Sequence, residues 1–416
     1  MKLLLKNIAY LSTVKGVDFI IPLVLIPIVI YNIGIQEYGY FSLYLFYFNF
    51  FISLADFGHS LIAIKKISSA SNDSILVNNE INKTITFKLI SSLLIASLWM
   101  IYTIISDISH IYVILIFSLA LIFESLSLSF FFQAKENLKV ISLIQLATRV
   151  LSSIFIIWLI KNKDDLLLYV FFHCLPNIIN TILIYILYIK KYTYKIRFKF
   201  NIQSIKDGWH IYSYQMLNGL ILPVTSSFIS IQYGISNVAI FSICQRIVSS
   251  SYRIFEPAII AIFPYLSRLK SQGNIIEFKK YTFWISISIL ISVIFLILAV
   301  NLFGSEIRIY ISAGNHFTEN QEYLYNIMSM LILPMVFNLF LTRIIIIMGY
   351  EKTLKIALFI TFLSIIAQIL IIYFLKLDVV YVGIALVIGY LMTTTTIICI
   401  LFIGIIHEKK KNINVN

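Results

Sequence analysis

Runs of about 20 apolar residues recur along the whole chain, and short polar connections separate them. A transmembrane α-helix needs about 20 mainly apolar residues to cross the hydrocarbon core of a bilayer. The pattern therefore predicts an all-α polytopic membrane protein with twelve transmembrane helices, six on each side of a basic connection. The predicted spans are 8–33, 38–64, 85–105, 111–132, 140–160, 166–189, 209–232, 238–266, 281–303, 323–348, 353–375 and 380–406.

Short matches relate the two halves of the chain. Residues near the start of the second predicted span recur 200 positions later, and a Leu-Lys pair after the fourth span recurs after the tenth. Because the matches fall at corresponding places, they predict two homologous six-helix lobes. We assign 1–189 to the N-terminal lobe, 190–208 to a basic cytoplasmic linker and 209–416 to the C-terminal lobe. The matching residues are Gly34, Ile35, Phe41 and Ser42 with Gly234, Ile235, Phe241 and Ser242, and Leu138 and Lys139 with Leu354 and Lys355.

Lysine and arginine are concentrated in alternate connections. The connections on the side of the N-terminus hold most of them, whereas the other side has only Lys161, Lys163, Arg308 and Lys376. The positive-inside rule then places both termini and the basic linker in the cytoplasm. This topology and contact with membrane lipids explain the net charge of +13, so the charge does not indicate a nucleic-acid partner.

Composition excludes a soluble enzyme. Hydrophobic residues make up 60% of the chain and charged residues 12%, with a mean hydropathy of +0.93. The chain has no phosphate-binding loop of the form GxxxxGK[ST], no GxSxG elbow and no HExxH pair. Its three cysteines, Cys174, Cys244 and Cys399, lie in separate predicted spans without metal-type spacing. We therefore expect neither catalysis nor a cofactor or metal site.

The eighth predicted span, 238–266, carries polar residues along one face. They follow one another at intervals of 4, 3, 4 and 3, which places them on one stripe of an α-helix. A charge at the centre of a lipid-facing helix costs about 2.5–3.5 kcal/mol on insertion scales, so the stripe is predicted to line a polar cavity. In the alternative, Arg253 and Glu256 neutralise each other and Arg246 binds backbone carbonyls of a neighbour. The stripe consists of Ser242, Arg246, Ser249, Arg253 and Glu256.

Charged residues also lie within other predicted spans. Basic members outnumber acidic ones five to four, and a water-filled cavity with that balance favours an anionic headgroup such as a phosphate or pyrophosphate. Because arginine binds phosphate oxygens with two donors at once, the predicted substrate-binding residues are Arg149, Arg246, Arg253 and Arg343. The alternative is that several of these ions pair across helices and serve packing. The complete set is Lys15, Asp18, Asp56, Glu124, Arg149, Arg246, Arg253, Glu256 and Arg343.

The acids of this set are candidate ion-coupling residues, because a chain that has no phosphate-binding loop and moves a substrate must use an ion gradient or the substrate gradient itself. Two of them have a basic residue three positions away, which is expected to keep them ionised, whereas the fourth span offers Glu124 no cation of its own. A carboxylate that faces water alternately on each side can load and release a proton, so Glu124 is preferred. In the alternative, Arg149 on the next helix pairs with Glu124 and fixes packing. The four acids are Glu124, Asp56, Asp18 and Glu256.

Several short motifs at span ends carry a family resemblance that covers the chain from about residue 5 to 405. With them the chain resembles bacterial polysaccharide repeat-unit flippases of the O-antigen or capsule type, in the multidrug/oligosaccharidyl-lipid/polysaccharide exporter superfamily. The motifs are Pro27, Gly34, Tyr38 and Gly39; ADFG at 55–58 with Lys65 and Lys66; Tyr233 and Gly234; VAIFSICQRI from Val238; FPYLSRL at 263–269; and Gly349, Lys352 and Lys355.

The resemblance implies two lobes facing each other across a central cavity that opens alternately to the two sides. It implies that the substrate is an undecaprenyl-pyrophosphate-linked oligosaccharide, moved to the outer leaflet of the bacterial cytoplasmic (inner) membrane. A cationic lumen is expected of such flippases and agrees with the four arginines. A polysaccharide polymerase and a chain-length regulator are the candidate protein partners.

Two other classes of protein are alternatives. A multidrug exporter of the same superfamily would be expected to have a lumen richer in acids, since its substrates are cationic. A membrane polysaccharide polymerase would be expected to carry a large outer loop with functional arginines. The longest outer connection here, 304–322, is short and has one arginine, Arg308. Related lipid II flippases usually have fourteen spans, which argues against that branch.

Overall fold

The computed structural model describes residues 21–69, 74–135, 137–192, 203–314, 317–350 and 353–413. Regular structure in these ranges is helical, and none of it is strand. The chain forms two compact units, Met1–Val224 and Thr225–Asn416. The proposed linker at 190–208 stays a prediction, because residues 193–202 lie outside the described ranges.

The first unit contains eight helices and the first part of a ninth in its described residues. A short 3₁₀ turn, Lys163–Asp165, precedes the eighth helix. The helices are α1 (described over Ile21–Ile33), α2 (Ile35–Asp56), α3 (His59–Ser69), α4 (Ser74–Ile105), α5 (Ile111–Leu126), α6 (Ser129–Ala134), α7 (Leu138–Leu159), α8 (Leu166–Lys191) and α9 (Gln203–Tyr233).

The second unit begins inside α9 and continues with eight further helices in the part of the chain that is described. Four of the eight connections between α9 and α17 are two to four residues long. These helices are α10 (Ile235–Arg253), α11 (Glu256–Ser271), α12 (Ile275–Leu302), α13 (Gly304–Ile311), α14 (Glu319–Ser329), α15 (Ile332–Met348), α16 (Leu354–Leu375) and α17 (Val380–Ile413).

Eight helical segments among the described residues are long and apolar enough to cross a membrane. A ninth is obtained if α2 and α3, which meet at an angle of 46°, form one bent span. The predicted class, an all-α polytopic membrane protein, is confirmed, while the count of twelve spans stays a prediction. The segments are Ser74–Ile105, Ile111–Ala134, Lys139–Leu159, Lys163–Lys190, Ile275–Leu302, Glu319–Met348, Leu354–Leu375 and Val380–Phe402.

The repeated residues occupy matching places in the two units. Gly34 precedes α2 with φ 86° and ψ 161°, and Gly234 precedes α10 with φ 87° and ψ 163°. Glycine adopts such positive φ values without the steric cost that a side chain would add. In the same way, α7 and α16 begin at Leu138 and Leu354, and each has 22 residues. The sequence matches therefore mark a repeated local structure.

Two predicted spans in each half are interrupted rather than continuous. The breaks follow α2, α5, α10 and α14, each at a turn of two residues. The prediction of one continuous helix over 238–266 is therefore wrong at Ile254–Phe255. The physical reason is Pro257, which has no N–H for the carbonyl of Arg253 and whose ring collides with that carbonyl in a regular helix.

The two short helices of the first unit, α3 and α6, pack against each other over a hydrophobic cluster. Large aromatic side chains fill its centre, with Phe131 edge-on to Tyr188 at 5.2 Å between ring centroids. This cluster fixes how the chain continues after the breaks that follow α2 and α5. Its residues include Ala63, Ile67, Val77, Ile81, Leu128, Phe130, Phe131, Phe132, Ile184 and Tyr188.

Candidate functional site

The break after α2 places a charged residue at the end of a membrane helix. Phe57 and Gly58 both have positive φ, at 48° and 76°, so the helix ends at Asp56 and restarts at His59. A break within a membrane leaves backbone groups that water cannot satisfy. The Ser91 hydroxyl donates to one of them, the Ala55 carbonyl, at 2.7 Å. The local polar contacts thus stabilise the break.

The Asp56 carboxylate binds the start of α3 and a buried cation. Both the backbone N–H and the hydroxyl of Ser60 donate to this carboxylate, as at the N-terminus of a capped helix. The Lys88 ammonium lies 3.0 Å from Asp56 Oδ1 and donates to Ser60 Oγ at 3.0 Å. The Lys88 side chain is only 7% exposed. Asp56, Ser60 and Lys88 therefore form a closed polar cluster, which we call the elbow cluster.

Lys88 also reaches the break between α5 and α6. Its ammonium lies 5.6 Å from the ring centroid of Phe130, in the first turn of α6. It interacts electrostatically with Glu124, which lies in the last turn of α5. One lysine of α4 therefore contacts two interrupted spans of the same unit.

Glu124 is partly buried, and within the described residues no hydrogen bond or ion pair reaches its carboxylate. It interacts electrostatically with Lys88 on α4 and with Arg149 on α7. The Thr181 hydroxyl on α8 donates to the neighbouring Phe123 carbonyl at 2.9 Å. The Glu124 carboxylate therefore interacts electrostatically with two cations, Lys88 and Arg149, without an ion pair to either of them in the described residues.

Arg149 is partly buried on α7, and hydrogen bonds join its surroundings to α8. The Thr148 hydroxyl donates to Asn180 Oδ1 at 2.7 Å, and both side chains are buried. The Ser152 hydroxyl donates to the Phe172 carbonyl. These bonds fix the rotation of α7 on α8 and thereby the place of Arg149.

The other three predicted arginines lie in the second unit, where α10, α11 and α15 pack together. Arg246 is partly buried in α10, whereas Arg253 is exposed at the end of that helix and its Nε donates to the Tyr252 hydroxyl at 3.2 Å. Glu256 begins α11. On α15, the Arg343 guanidinium lies 5.7 Å from the ring centroid of Phe263.

Within the described residues, three buried polar atoms on α10 and α15 have no hydrogen-bond partner. They are Gln245 Oε1, Ser250 Oγ and Asn338 Oδ1. A buried polar atom left without a partner costs about 1–3 kcal/mol, so such atoms are usually satisfied by water or by a ligand. They lie on the same helices as Arg246 and Arg343.

Lys88 is the residue that the sequence pattern did not single out. It lies near the start of the third predicted span, 85–105. A lysine at the end of a span is usually interpreted as one of the charges that set membrane topology. Its place in an apolar run, with Ser91 and Ser92 one turn later, indicated that its ammonium pairs with an acid inside the protein.

Asp18 and its expected partner Lys15 lie outside the described residues. In the described part of the chain, no group of three His, Cys, Asp or Glu residues is placed to hold a metal.

Comparison with known proteins identifies the fold. The chain matches the inward-facing conformation of a multidrug resistance MATE family transporter of the MOP superfamily, with a TM-score of 0.74 and 13% identity over 93% of this chain and 94% of that one. At this identity the likeness shows the fold alone. The protein thus has the fold of a MOP superfamily membrane transporter.

Two curated proteins are similar in sequence, and both are named as O-antigen transporters. The one from Shigella dysenteriae is 24% identical over 66% of this chain and 70% of its own length. The one from Escherichia coli K12 is 22% identical over 66% and 68%. The family described as polysaccharide biosynthesis protein matches residues 4–270, more than half of the chain. The chain belongs to this family and has the fold of MOP superfamily transporters.

Proposed function

We propose that the protein moves undecaprenyl-pyrophosphate-linked oligosaccharide repeat units from the cytoplasmic to the outer leaflet by alternating access, for O-antigen or capsule synthesis. The observation that carries this proposal is the membership of the polysaccharide biosynthesis protein family, together with arginines in apolar helices. Lipid-linked repeat units are polysaccharide precursors, and a polyprenyl chain requires a membrane. A polysaccharide polymerase and a chain-length regulator are the proposed protein partners.

The proposed ligands of the pyrophosphate are Arg149, Arg246, Arg253 and Arg343. Guanidinium groups stay charged and form two parallel hydrogen bonds with phosphate oxygens, which suits an anion that must leave water. The unsatisfied oxygens of Gln245 and Asn338, and the hydroxyl of Ser250, lie on the arginine-bearing helices of the second unit. Gln245 and Asn338 also carry amide donors for sugar or phosphate oxygens.

Transport of a defined substrate tests the function. Purified protein in proteoliposomes should move a fluorescent undecaprenyl-pyrophosphate-linked oligosaccharide between leaflets faster than protein-free liposomes do. Efflux of a cationic dye in place of that lipid would identify a multidrug exporter. Joining of repeat units without transfer between leaflets would identify a polymerase.

The proposed topology has both termini and the 190–208 linker in the cytoplasm, from the asymmetry of lysine and arginine. Alkaline phosphatase is active only outside the cytoplasm. Fused within 304–322 it should be active, and fused within 190–207 it should be inactive. The opposite pattern of activities would overturn the topology.

The proposed energy source is an ion gradient, with Glu124 as the coupling residue. Among the four acids, Asp56 is held by Lys88 and Ser60, whereas the Glu124 carboxylate has no such bond in the described residues and is partly accessible. A carboxylate with these properties is free to exchange a proton with water. Asp18 and Glu256 are secondary candidates.

Glu124→Gln is expected to abolish the response of transport to an imposed pH gradient, while downhill movement of the labelled lipid continues. The reason is that glutamine keeps the size of the side chain and cannot ionise. The matched control is Glu277→Gln, an exposed acid at the start of α12, which should respond as the parent does. A Glu124→Gln variant that still follows the gradient would exclude this residue as the coupling site.

A further inference from the structure

The two interrupted spans of the first unit share one buried cation. Lys88 holds Asp56 and Ser60, which flank the break between α2 and α3. It also lies over the Phe130 ring just after the break between α5 and α6. The short helices beyond the breaks, α3 and α6, pack against each other and against α4 or α7. A change in one break must therefore be accommodated by the other.

The same cation interacts with Glu124, three residues before the α5–α6 break. Asp56 and Glu124 thus attract one ammonium group from two different helices. When Glu124 is ionised, Lys88 is drawn by both carboxylates; when Glu124 is neutral, Asp56 and Ser60 alone hold it. The attraction is strong because the Lys88 side chain lies away from water.

We propose that Lys88 is a positioning residue that transmits the charge state of Glu124 to the bend between α2 and α3. This inference deepens the proposed ion coupling and rests on it only for its role in transport. The bend, 46° in this structure, is the element that changes. Asp56 accordingly acts as the fixed anchor of the elbow cluster and not as a second coupling acid.

Other ionisable groups near the two breaks do not offer the same link. Arg149 interacts with Glu124 from α7 and lies outside the elbow cluster, and the buried His59 ring packs on Phe87 with 4.0 Å between centroids. The α8 side chain fixed next to Glu124 is the neutral Thr181. The titratable groups to be considered are Asp56 on α2, His59 on α3, Lys88 on α4, Arg149 on α7 and Tyr212 on α9, which stacks on Phe57.

A distance across the bend tests the proposal without a transport assay. Spin labels would replace Gln36 on α2 and Lys65 on α3, which are both exposed, in a protein whose native cysteines are replaced. Lys65 lies six residues, or about 9 Å, beyond the first residue of α3, so a change of about 20° in the bend moves it by about 3 Å. Pulsed electron resonance resolves such a shift.

Glu124→Gln is expected to shift the label distance by about this amount, and Glu277→Gln is expected to leave it unchanged. In the neutral pair Asp56→Asn with Lys88→Met, adding Glu124→Gln should produce no further shift. In Lys88→Arg, which keeps the cation, the shift should persist. This last variant decides the matter if the neutral pair does not fold.

The absence of a shift with Glu124→Gln in the parent would overturn the proposal, and so would a full shift in the neutral pair or a lost shift in Lys88→Arg. A different result would refute the proposed ion coupling, namely that the rate of transport by the parent protein does not change when a pH gradient is imposed. The two failures are therefore distinguishable, because one is measured as a distance and the other as transport.

Discussion

Lys88→Met is expected to destabilise the protein by about 3–5 kcal/mol, because it leaves the Asp56 carboxylate charged and without its cation inside the helix bundle. Asp56→Asn should have a cost of the same order, since it leaves the ammonium unpaired. The measurement is thermal unfolding of the purified protein in detergent, followed by tryptophan fluorescence. Both single variants should unfold at clearly lower temperatures than the parent.

The double variant, Asp56→Asn with Lys88→Met, should recover most of this loss, because neither charge is then buried alone. The matched control is Lys83→Met on the same helix, whose partner Glu80 lies 3.5 Å away and whose side chain is 30% exposed. In this variant Glu80 keeps a second cation, Lys66 at 3.4 Å, so the control should unfold close to the parent. If Lys88→Met were as mild as Lys83→Met, the elbow cluster would not be a stabilising ion pair.

Alanine at both Arg246 and Arg253 is expected to abolish surface polysaccharide while the protein remains in the membrane. The reason is that both arginines are proposed to bind the pyrophosphate in at least one state of the transport cycle. Lysine at either position should restore export only partly, because an ammonium group cannot form the paired hydrogen bonds of a guanidinium. Surface polysaccharide in a strain lacking the native gene is the measurement.

Arg268→Ala provides the matched control, since Arg268 is exposed in the last turn of α11 and is predicted to lie at the cytoplasmic end. This variant should support normal export. Full export by the double alanine variant at Arg246 and Arg253 would refute their role in binding. Comparison of Arg246→Ala with Arg253→Ala measures the separate contribution of each arginine to export. The two residues differ in burial, since Arg246 is partly buried and Arg253 is exposed at the helix end.

The sequence by itself determined the class of protein and much of its internal repetition. Apolar runs that are long enough to span a bilayer are stable as helices only inside a membrane. The class, a polytopic α-helical membrane protein, therefore follows from the hydrophobic effect alone. Gly34 and Gly234 were found as a repeat because a positive φ restricts the residue type in the same way at both places. The break before Pro257 was not predicted, since Pro176 and Pro223 lie inside continuous helices and a proline alone does not decide where a helix ends.

The pairing of charges was decided by the tertiary structure. From the sequence, each acid can be compared only with lysines and arginines three or four positions away, and Asp56 has none there. Its partner Lys88 is 32 positions later and reaches it only because α2 ends at Asp56 and packs on α4. The position of Glu124 between Lys88 and Arg149 likewise depends on how α4, α5 and α7 are arranged. Contacts between helices follow from packing across the whole unit, and no local pattern in the chain encodes them.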